Sequence, residues 1–418
     1  MQKSKTHVLI AGGGAAGMMA AISAGRKGAR VTIVEKMNKP GRKLSITGKG
    51  RCNLTNTDDL EEFLSNIGPD PRFLRNAFAR FFSNHLINLL NELGLNTITE
   101  RGGRVFPENN SAPEVVNVMN RELQRLGVTI LTQCPVEEVW IKEGRAAGIV
   151  TSQGKVIEAD RVILAMGGSS YPGTGSTGDG YRLARRLGHT VRDPAPSLVP
   201  MTTAGDIAQR LQGLTLKNVN ASVIVNGKKA GEMFGEMLFT HFGLSGPIIL
   251  SLSRQFNRTI LEGHQVEISI DLKPALDHET LDRRLLRDLA EHSKMQMKGI
   301  LRGLLPSSLI PVCLDLLRID PEKQASQVSA AERKKLRNWL KDFRFQVTGL
   351  RGYSKAIVTS GGVSTREIDP KTMESKLVKN LYFAGEIIDL DANTGGYNLQ
   401  IAFSTGWLAG WAAAGNDV

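Results

Sequence analysis

Cysteine is scarce in this chain of 418 residues: it has three, Cys52, Cys134 and Cys313, odd in number and far apart. That spacing excludes a disulfide framework, a cysteine-based metal cluster and the paired thiols of a disulfide reductase. No run of about 18 apolar residues occurs without turn-forming or charged residues, so no membrane-spanning helix is expected. We therefore expect a protein of the reducing cytoplasm, with no membrane partner and no metal.

Glycine, by contrast, is plentiful, with 44 of 418 residues against a typical share of about 7%. Basic residues also exceed acidic ones, 53 to 41, which gives a net charge of +12. This excess is concentrated near the start, because residues 26–51 hold nine basic side chains and one acid, Glu35. Such a concentration predicts an anionic ligand close to the N-terminal segment.

A glycine motif lies within this region. Residues 7–11 predict a strand, residues 15–27 a helix and residues 29–35 a second strand rich in β-branched residues. Gly12, Gly14 and Gly17 form G-x-G-x-x-G between the first strand and the helix, and Glu35 ends the second strand. In this context the first glycine permits a tight turn, the second admits a pyrophosphate and the third lets the helix pack on the sheet. Glu35 is suited to a ribose diol, so we expect a bound dinucleotide.

The rest of the chain favours FAD over a nicotinamide as that dinucleotide. Short strands at 136–141, 146–151 and 155–158 predict a β-meander, which interrupts the alternation of a nicotinamide dehydrogenase. This layout is similar to flavoproteins of the glutathione-reductase-like superfamily. Residues 163–168 resemble their strand and glycine turn beside the flavin nucleotide, and residues 380–386 resemble their late strand that holds the ribityl chain. Glu386 stands where that superfamily usually has aspartate.

Three further segments make the resemblance specific. They are Gly41–Asn56 (GRKLSITGKGRCNLTN), Leu238–Pro247 (LFTHFGLSGP) and Gly395–Gln400 (GGYNLQ). Together they resemble the signatures of the aminoacetone-oxidase-like, or bile-acid-reductase-like, family of bacterial NAD(P)/FAD-dependent oxidoreductases. The resemblance covers essentially the whole chain and implies non-covalently bound FAD, but members of this family differ in substrate.

The motifs and the resemblance together predict the residues that hold FAD. Arg42, Lys43, Lys49 and Arg51 would supply charge for the diphosphate, Asn53 and Thr55 would meet the flavin edge, and the helix after Gly396 would point at the flavin pyrimidine. The full prediction comprises Gly12, Gly14, Ala15, Ala16, Gly17, Glu35, Lys36, Arg42, Lys43, Thr47, Gly48, Arg51, Cys52, Asn53, Thr55, Val136, Ala165, Gly167, Gly168, Thr177, Asp179, Gly385, Glu386, Gly396, Asn398, Leu399 and Gln400.

A second G-x-G-x-x-G, at residues 173–178, does not predict a nicotinamide site because no strand precedes it. Residues 177–180 instead resemble the turn that fumarate-reductase-like flavoproteins place beside FAD. For catalysis we name His241 and Tyr397 as candidate proton donors or acceptors. A lone histidine in a phenylalanine-rich segment is also compatible with a structural role.

The length predicts two or three domains, because a single core seldom exceeds about 250–300 residues. We predict an α/β protein with a Rossmann-like FAD domain, a parallel sheet plus β-meander, at 1–194 and 346–418. It is interrupted at 195–345 by an insert of barrel-like strands and helices, with the boundary at the proline-rich residues 193–196. The insert is expected to roof the flavin.

The predicted activity is hydride exchange between FAD and a small organic substrate bound between the insert and the isoalloxazine. Either oxygen or transiently bound NAD(P)H would be the second redox partner. Two alternatives stay open: an FAD- and folate-dependent tRNA-modifying enzyme, suggested by the isoelectric point of 9.6, and a non-enzymatic flavin redox sensor. Nucleic acid is not an expected partner, because residues 282–288 mix both signs of charge. No oligomeric state is predicted.

Overall fold

The computed structural model describes residues 5–415. By its internal contacts the chain divides into two units: unit 1 runs to Ser197 and resumes at Tyr353, and unit 2 is Leu198–Gly352. The assignment of unit 1 to FAD and of unit 2 to a roof over the flavin stays a prediction.

Unit 1 begins with alternating strands and helices. Its elements up to Ser197 are β1 (His7–Ala11), α1 (Ala15–Arg26), β2 (Arg30–Val34), β3 (Thr55–Asn56), α2 (Leu60–Ser65), β4 (Ile67–Gly68), α3 (Arg75–Arg80), α4 (Ser83–Glu92), β5 (Thr97–Glu100), β6 (Arg104–Pro107), α5 (Ala112–Arg125), β7 (Thr129–Leu131), β8 (Val136–Lys142), β9 (Arg145–Thr151), β10 (Val156–Glu158), β11 (Arg161–Leu164), α6 (Asp179–Arg186) and β12 (Val191–Ser197).

Unit 2 consists of a barrel and a helical segment. Its elements are β13 (Met201–Thr203), α7 (Ile207–Arg210), β14 (Thr215–Val225), β15 (Lys228–Thr240), β16 (Gly243–Ser245), α8 (Pro247–Leu261), β17 (Val266–Asp271), α9 (His278–Glu291), α10 (Met297–Ile300), α11 (Leu309–Leu317), α12 (Ala330–Lys341) and β18 (Phe343–Leu350).

The chain then returns to unit 1 with β19 (Val358–Val363), β20 (Leu381–Phe383), β21 (Asp391–Ala392) and α13 (Tyr397–Ala413). In unit 1, β20, β11, β1, β2 and β7 form a parallel sheet in that order. All five residues of β1 are buried, as expected for a strand whose sheet is covered on both faces. The antiparallel strands β8, β9 and β10 form the predicted meander beside it.

In unit 2 the strands β13, β16, β15, β14, β17 and β18 close into an antiparallel barrel. The predicted fold class, a parallel sheet with a meander and a barrel-like insert, is therefore confirmed. The sequence of residues 216–272 alternates like a series of strands, with Asn-Gly and Ser-Gly-Pro turns, and this pattern does not indicate the helix α8 at Pro247–Leu261. Pro247 occupies its first turn, where the missing N–H has no cost, and Ile248, Ile249 and Leu252 form its buried face.

Two absences hold for the part of the chain that the structure describes. Over residues 5–415 no helix is both long and apolar enough to cross a membrane. The same residues contain no group of three or more His, Cys, Asp or Glu side chains arranged to hold a metal ion.

Candidate cofactor site

The loop between β1 and α1 contains three glycines with different requirements. Gly12 has φ +103°, and a Cβ there would lie 2.5 Å from the carbonyl oxygen of Ala165. A Cβ on Gly17 would lie 1.9 Å from the carbonyl oxygen of Gly12. Around Gly14, no non-neighbouring atom of the described chain lies within 4 Å of the Cβ position. The protein's own backbone therefore requires the first and third glycines, whereas the second borders open space.

That open space lies at the N-terminus of α1. Among the described residues no side chain caps this helix, and its first turn, which begins at Ala15 and Ala16, contains no acid. Backbone N–H groups and the positive end of a helix dipole are suited to a phosphate. The open space at Gly14 lies at this helix end. It therefore fits the pyrophosphate of a dinucleotide.

Glu35 lies at the end of β2 and is held in place by the backbone. One carboxylate oxygen accepts the Gly13 N–H at 2.8 Å, and the other accepts the Met37 N–H at 2.8 Å. Each oxygen retains a second lone pair for a hydroxyl group. Glu35 is therefore fixed beside the glycine loop, as the ribose prediction requires.

The second glycine motif packs against this same strand end. A Cβ on Gly175 would lie 2.9 Å from the Met37 side chain. Lys36 Nζ donates to Asp179 at 2.6 Å and to Thr177 Oγ at 2.5 Å. Burial opposes ionisation of Asp179, but the hydrogen bonds from Lys36 and Thr177 outweigh it, and the pKa of that carboxyl lies below its ordinary value. Residues 173–178 thus pack against the chain that follows Glu35, and their place beside FAD stays a prediction.

Glu386, after β20, accepts hydrogen bonds on both carboxylate oxygens. Lys43 Nζ lies 2.7 Å from one oxygen, while Ser170 Oγ and the Thr359 N–H lie 2.9 and 2.7 Å from the other. Burial raises the pKa of Glu386. The Lys43 ammonium and these hydrogen bonds lower it by more, so the pKa lies below its ordinary value. Thr359, whose hydroxyl also accepts the N–H of Ser170 at 3.1 Å, was not predicted as a site residue. A threonine in a strand gives no signal of such a role.

The basic residues predicted to gather at one diphosphate have different partners. Lys43 binds Glu386, whereas Arg51 pairs with Glu100 and donates to Asn110 Oδ1 at 2.7 Å. Arg42 donates to Asn38 Oδ1 at 2.9 Å. Three of the four basic residues thus have different partners, and their common role at a diphosphate stays a prediction. Arg51 takes part in a different arrangement, described below.

Gly396 lies directly before α13 and against the chain of β3. A Cβ there would lie 2.3 Å from the Thr55 carbonyl oxygen. With its amide oriented to satisfy both ends, Asn53 accepts the Gly396 N–H at 3.1 Å. The Thr55 hydroxyl is buried and bonded to Ser83 Oγ at 3.0 Å, so Thr55 shapes this site through its backbone.

Tyr397, a candidate proton donor, has its hydroxyl engaged. It donates to Asp58 Oδ2 at 2.6 Å and accepts from Asn56 Nδ2 at 3.3 Å. Burial and then the bond to Asp58 raise the pKa of Tyr397. These contacts give Tyr397 a structural role at the start of α13, and its catalytic role stays a prediction.

The other predicted residues of this segment support the loop and the interior. Asn398 bonds the N–H and C=O of Ala392 at 2.9 and 2.8 Å and so fixes the loop before α13. Gln400 is fully buried and donates to Ser404 Oγ at 2.9 Å, so it faces the protein interior. Leu399 is half-buried and packs against the core of unit 1. Gly385 packs on α1, since a Cβ there would lie 2.7 Å from the Ala16 side chain.

The remaining predicted residues contact other parts of the protein or lie at its surface. Thr47 Oγ donates to the Leu44 carbonyl at 2.7 Å, and Gly48 has φ +58° in the same loop. Burial raises the pKa of the Cys52 thiol to about 12. Val136 is buried at the start of β8, and Gly167 and Gly168 follow β11, where a Cβ on Gly168 would lie 2.5 Å from Thr359 Oγ.

His241 is exposed in the turn between β15 and β16 of unit 2, with its ring 4.9 Å from that of Phe242.

Helices α1 and α13 pack side by side in the same direction. A Cβ on Gly406 would lie 2.3 Å from the Ala16 carbonyl oxygen, and one on Gly410 would lie 2.1 Å from that of Ala20. Equal steps of four residues mean that the helices run parallel. Since α13 begins at Tyr397, its N-terminus extends about 12 Å beyond that of α1, at 1.5 Å per residue. Two helix N-termini thus point toward the same end of unit 1, offset along one line.

A parallel sheet with this glycine loop, the meander and a second helix N-terminus defines a flavoprotein of the Rossmann type. The chain matches the HI0933-like protein Rossmann domain over residues 6–412 and belongs to that family. It is an FAD-dependent oxidoreductase, as predicted, and the hypothesis of a non-enzymatic sensor is set aside.

Two curated relatives align along almost the full chain. The 3-dehydro-bile acid delta(4,6)-reductase of Clostridium scindens is 34% identical over 97% of this chain and 98% of its own length. The ribosomal RNA dihydrouridine synthase of Escherichia coli K12 is 33% identical over 96% of both. Among solved structures, the 3-ketosteroid-delta4-(5alpha)-dehydrogenase of Rhodococcus jostii RHA1 superposes with a TM-score of 0.54 at 16% identity, covering 100% of this chain and 98% of that one. This last likeness concerns the fold.

Proposed function

We propose that this enzyme reduces a carbon–carbon double bond conjugated to a carbonyl group in a small organic molecule. The names of both curated relatives support this reaction class. A delta(4,6)-reductase of a 3-dehydro bile acid acts on double bonds in line with a ketone, and a dihydrouridine synthase saturates the pyrimidine bond beside a carbonyl. Hydride addition at the far carbon is favourable in both because the carbonyl accepts the negative charge.

The observation that carries the proposal is the second helix N-terminus, at Gly395–Tyr397. Bound FAD would supply the two-electron chemistry through its N5 position. The N-terminus of α13 favours negative charge at its opening by about 0.3–1 kcal/mol, and by up to about 2 kcal/mol when partly buried. Asn53 accepts the Gly396 N–H and so holds this loop in place. Glycine at 395 and 396 allows the loop to pack closely against Tyr397 and Thr55. Glu35, Lys43 and Glu386 would hold the nucleotide and ribityl parts.

NAD(P)H is the electron donor that we propose. Reduction of a double bond consumes two electrons and two protons, so it needs a donor, and oxygen is an acceptor. The second glycine motif packs against Met37 and so supplies no separate nucleotide fold. A transiently bound NADH or NADPH, replaced by the substrate after it has reduced the flavin, is consistent with this arrangement.

The test begins with purified protein and its visible spectrum. Anaerobic mixing with NADH or NADPH should bleach the flavin, and added 3-oxo-4-ene steroids or other enones should restore the yellow colour. The product should be heavier by two hydrogens in mass spectrometry, and a saturated ketone of the same skeleton is the control. A flavin that neither nucleotide reduces, or that no conjugated carbonyl reoxidises, would contradict the proposal.

A second candidate is the same reduction on uridine in RNA, favoured by the name of the Escherichia coli relative. The charges of unit 2 give it no support, because Asp282 pairs with both Arg333 and Arg337, at 3.2 and 3.5 Å. Filter binding to RNA with a salt titration separates the two candidates, since phosphate contacts make the affinity fall steeply with salt. Appearance of dihydrouridine in added RNA would establish the second candidate.

A further inference from the structure

An exposed basic hairpin lies beside the start of α13 in unit 1. Strands β5 and β6 are joined by a turn in which Gly102 and Gly103 have φ +78° and +69°. Arg101 and Arg104 flank these glycines and are both exposed, Arg104 with 46% of its side chain accessible. We call residues 101–104 the hairpin tip.

A third guanidinium lies beside the hairpin tip. Arg51 stacks over the Phe106 ring with its Cζ 4.3 Å from the centroid, and Arg104 lies over the same ring at 5.9 Å. Both pair with the single carboxylate of Glu100. Because Arg51 and Arg104 share the one carboxylate of Glu100, a net positive charge remains at this surface. Arg101 adds a further positive charge. Arg51 lies over the aromatic ring, and the forked donors of a guanidinium suit the bidentate binding of an oxyanion.

One buried side chain, Asn56, fixes the hairpin tip against the loop that precedes α13. Asn56 Nδ2 donates to the carbonyl oxygens of Gly102, at 3.0 Å, and Gly395, at 3.2 Å. A Cβ on Gly103 would lie 2.3 Å from Asn56 Oδ1, so only glycine lets the hairpin tip pack this closely on Asn56. The basic surface therefore borders the loop that precedes α13.

From these contacts we propose that Arg51, Arg101 and Arg104 bind a carboxylate carried by the substrate, which is therefore an organic acid. This inference rests on the proposed function, because it names the substrate class of that site. The charge at the hairpin tip would select the anion and orient the molecule, while the conjugated carbonyl would lie elsewhere along it.

The experiment compares an acid with its own neutral ester. The holoenzyme, the double variant Arg101→Ala/Arg104→Ala and the control Arg186→Ala are titrated with 3-oxochol-4-en-24-oic acid and with its methyl ester. Arg186 is an exposed arginine on α6, likewise paired with a carboxylate, that of Glu137. Binding is followed by perturbation of the flavin spectrum and turnover by product mass, so that binding is measured even where turnover is absent.

We expect the wild-type enzyme and Arg186→Ala to bind the acid about ten- to a hundredfold more tightly than the ester, as the loss of a charge-assisted contact implies. The double variant should bind both compounds equally, at the level of the ester, with unchanged flavin content. Equal binding of acid and ester by the wild-type enzyme, or an acid preference that survives in the double variant, would overturn the inference.

A parallel titration with oligouridylate tests the other source of oxyanions. Salt-dependent binding that the double variant loses, without any acid preference among the steroids, would assign the hairpin tip to phosphodiesters and refute the carboxylate. Acid-selective binding without reduction of any enone would instead refute the proposed function and leave the anion site standing. The two failures are therefore distinguishable.

Discussion

Gly406 approaches Ala16 so closely that a Cβ on the glycine would lie 2.3 Å from the alanine carbonyl oxygen. Helices α1 and α13 thus touch through their backbones, although 390 residues separate the two positions in the sequence. This contact joins the first and last helices of unit 1 and fixes their N-termini relative to each other. The proposed cofactor site depends on it.

Substitution of Gly406 by alanine is expected to force these helices apart. An added methyl group in a close-packed interface costs typically about 1–3 kcal/mol, and the separation of the two N-termini should also weaken FAD binding. Urea unfolding and FAD titration measure the two effects. The control is Gly303→Ala in unit 2, where no described atom lies within 4 Å of the Cβ position. Equal losses in both variants would refute the role of the contact.

Lys43→Met should destabilise the protein most at neutral pH. In the wild type the pKa of Glu386 is lowered, so its contribution to stability is complete above the ordinary carboxyl range and is lost only as pH falls through that lowered pKa. Without the ammonium, burial raises the pKa of Glu386. Removal of one partner of a buried pair costs about 3 kcal/mol.

This cost should shrink as pH falls through the carboxyl range, because Glu386 of the variant keeps its bonds from Ser170 and Thr359 but lacks the ammonium, and so becomes neutral more readily. Urea unfolding of the FAD-free protein at several pH values provides the measurement. Lys298→Met, which breaks the exposed pair with Glu322, is the control and should cost at most about 1 kcal/mol. A loss in Lys43→Met that does not vary with pH would contradict the assigned role of the pair.

Tyr397→Phe is expected to affect stability more than catalysis. The phenol hydroxyl is held by Asp58, and a hydrogen bond to a charged group contributes about 1.5–3 kcal/mol. Turnover should fall less than about tenfold, because removal of a catalytic proton donor costs about 100-fold or more. A hundredfold loss of kcat with normal flavin content would show that Tyr397 transfers a proton. His241→Gln is measured in parallel, and a hundredfold loss of kcat in that variant would assign the proton transfer to His241.

The local signals of the nucleotide loop could be predicted from the sequence because they are contiguous. Strand, glycines, helix and Glu35 occupy about thirty residues, and Gly12 and Gly17 have the steric reasons that the spacing indicates. The barrel strands were predictable from alternation and turns. Helix α8 was misread because its first apolar residues follow a Ser-Gly-Pro turn and continue a strand-like run.

Partners far apart in the chain could not be predicted. Nothing near Lys43 indicates Glu386, and nothing near Tyr397 indicates Asp58, because ion pairs and hydrogen bonds carry no sequence pattern at such separations. The basic residues of the first loop were therefore assigned to one anion. In the fold Lys43 pairs with Glu386, and Arg51 pairs with Glu100 of β5.

The central claim is that FAD binds where Gly14 borders open space at the start of α1. Gly14→Val tests it most directly, because this side chain would meet the cofactor and no described part of the protein. The free energy of unfolding of the FAD-free variant should change by at most about 1 kcal/mol, whereas FAD affinity should fall at least a hundredfold and the purified protein should be colourless. A yellow Gly14→Val protein with wild-type FAD affinity would contradict the account.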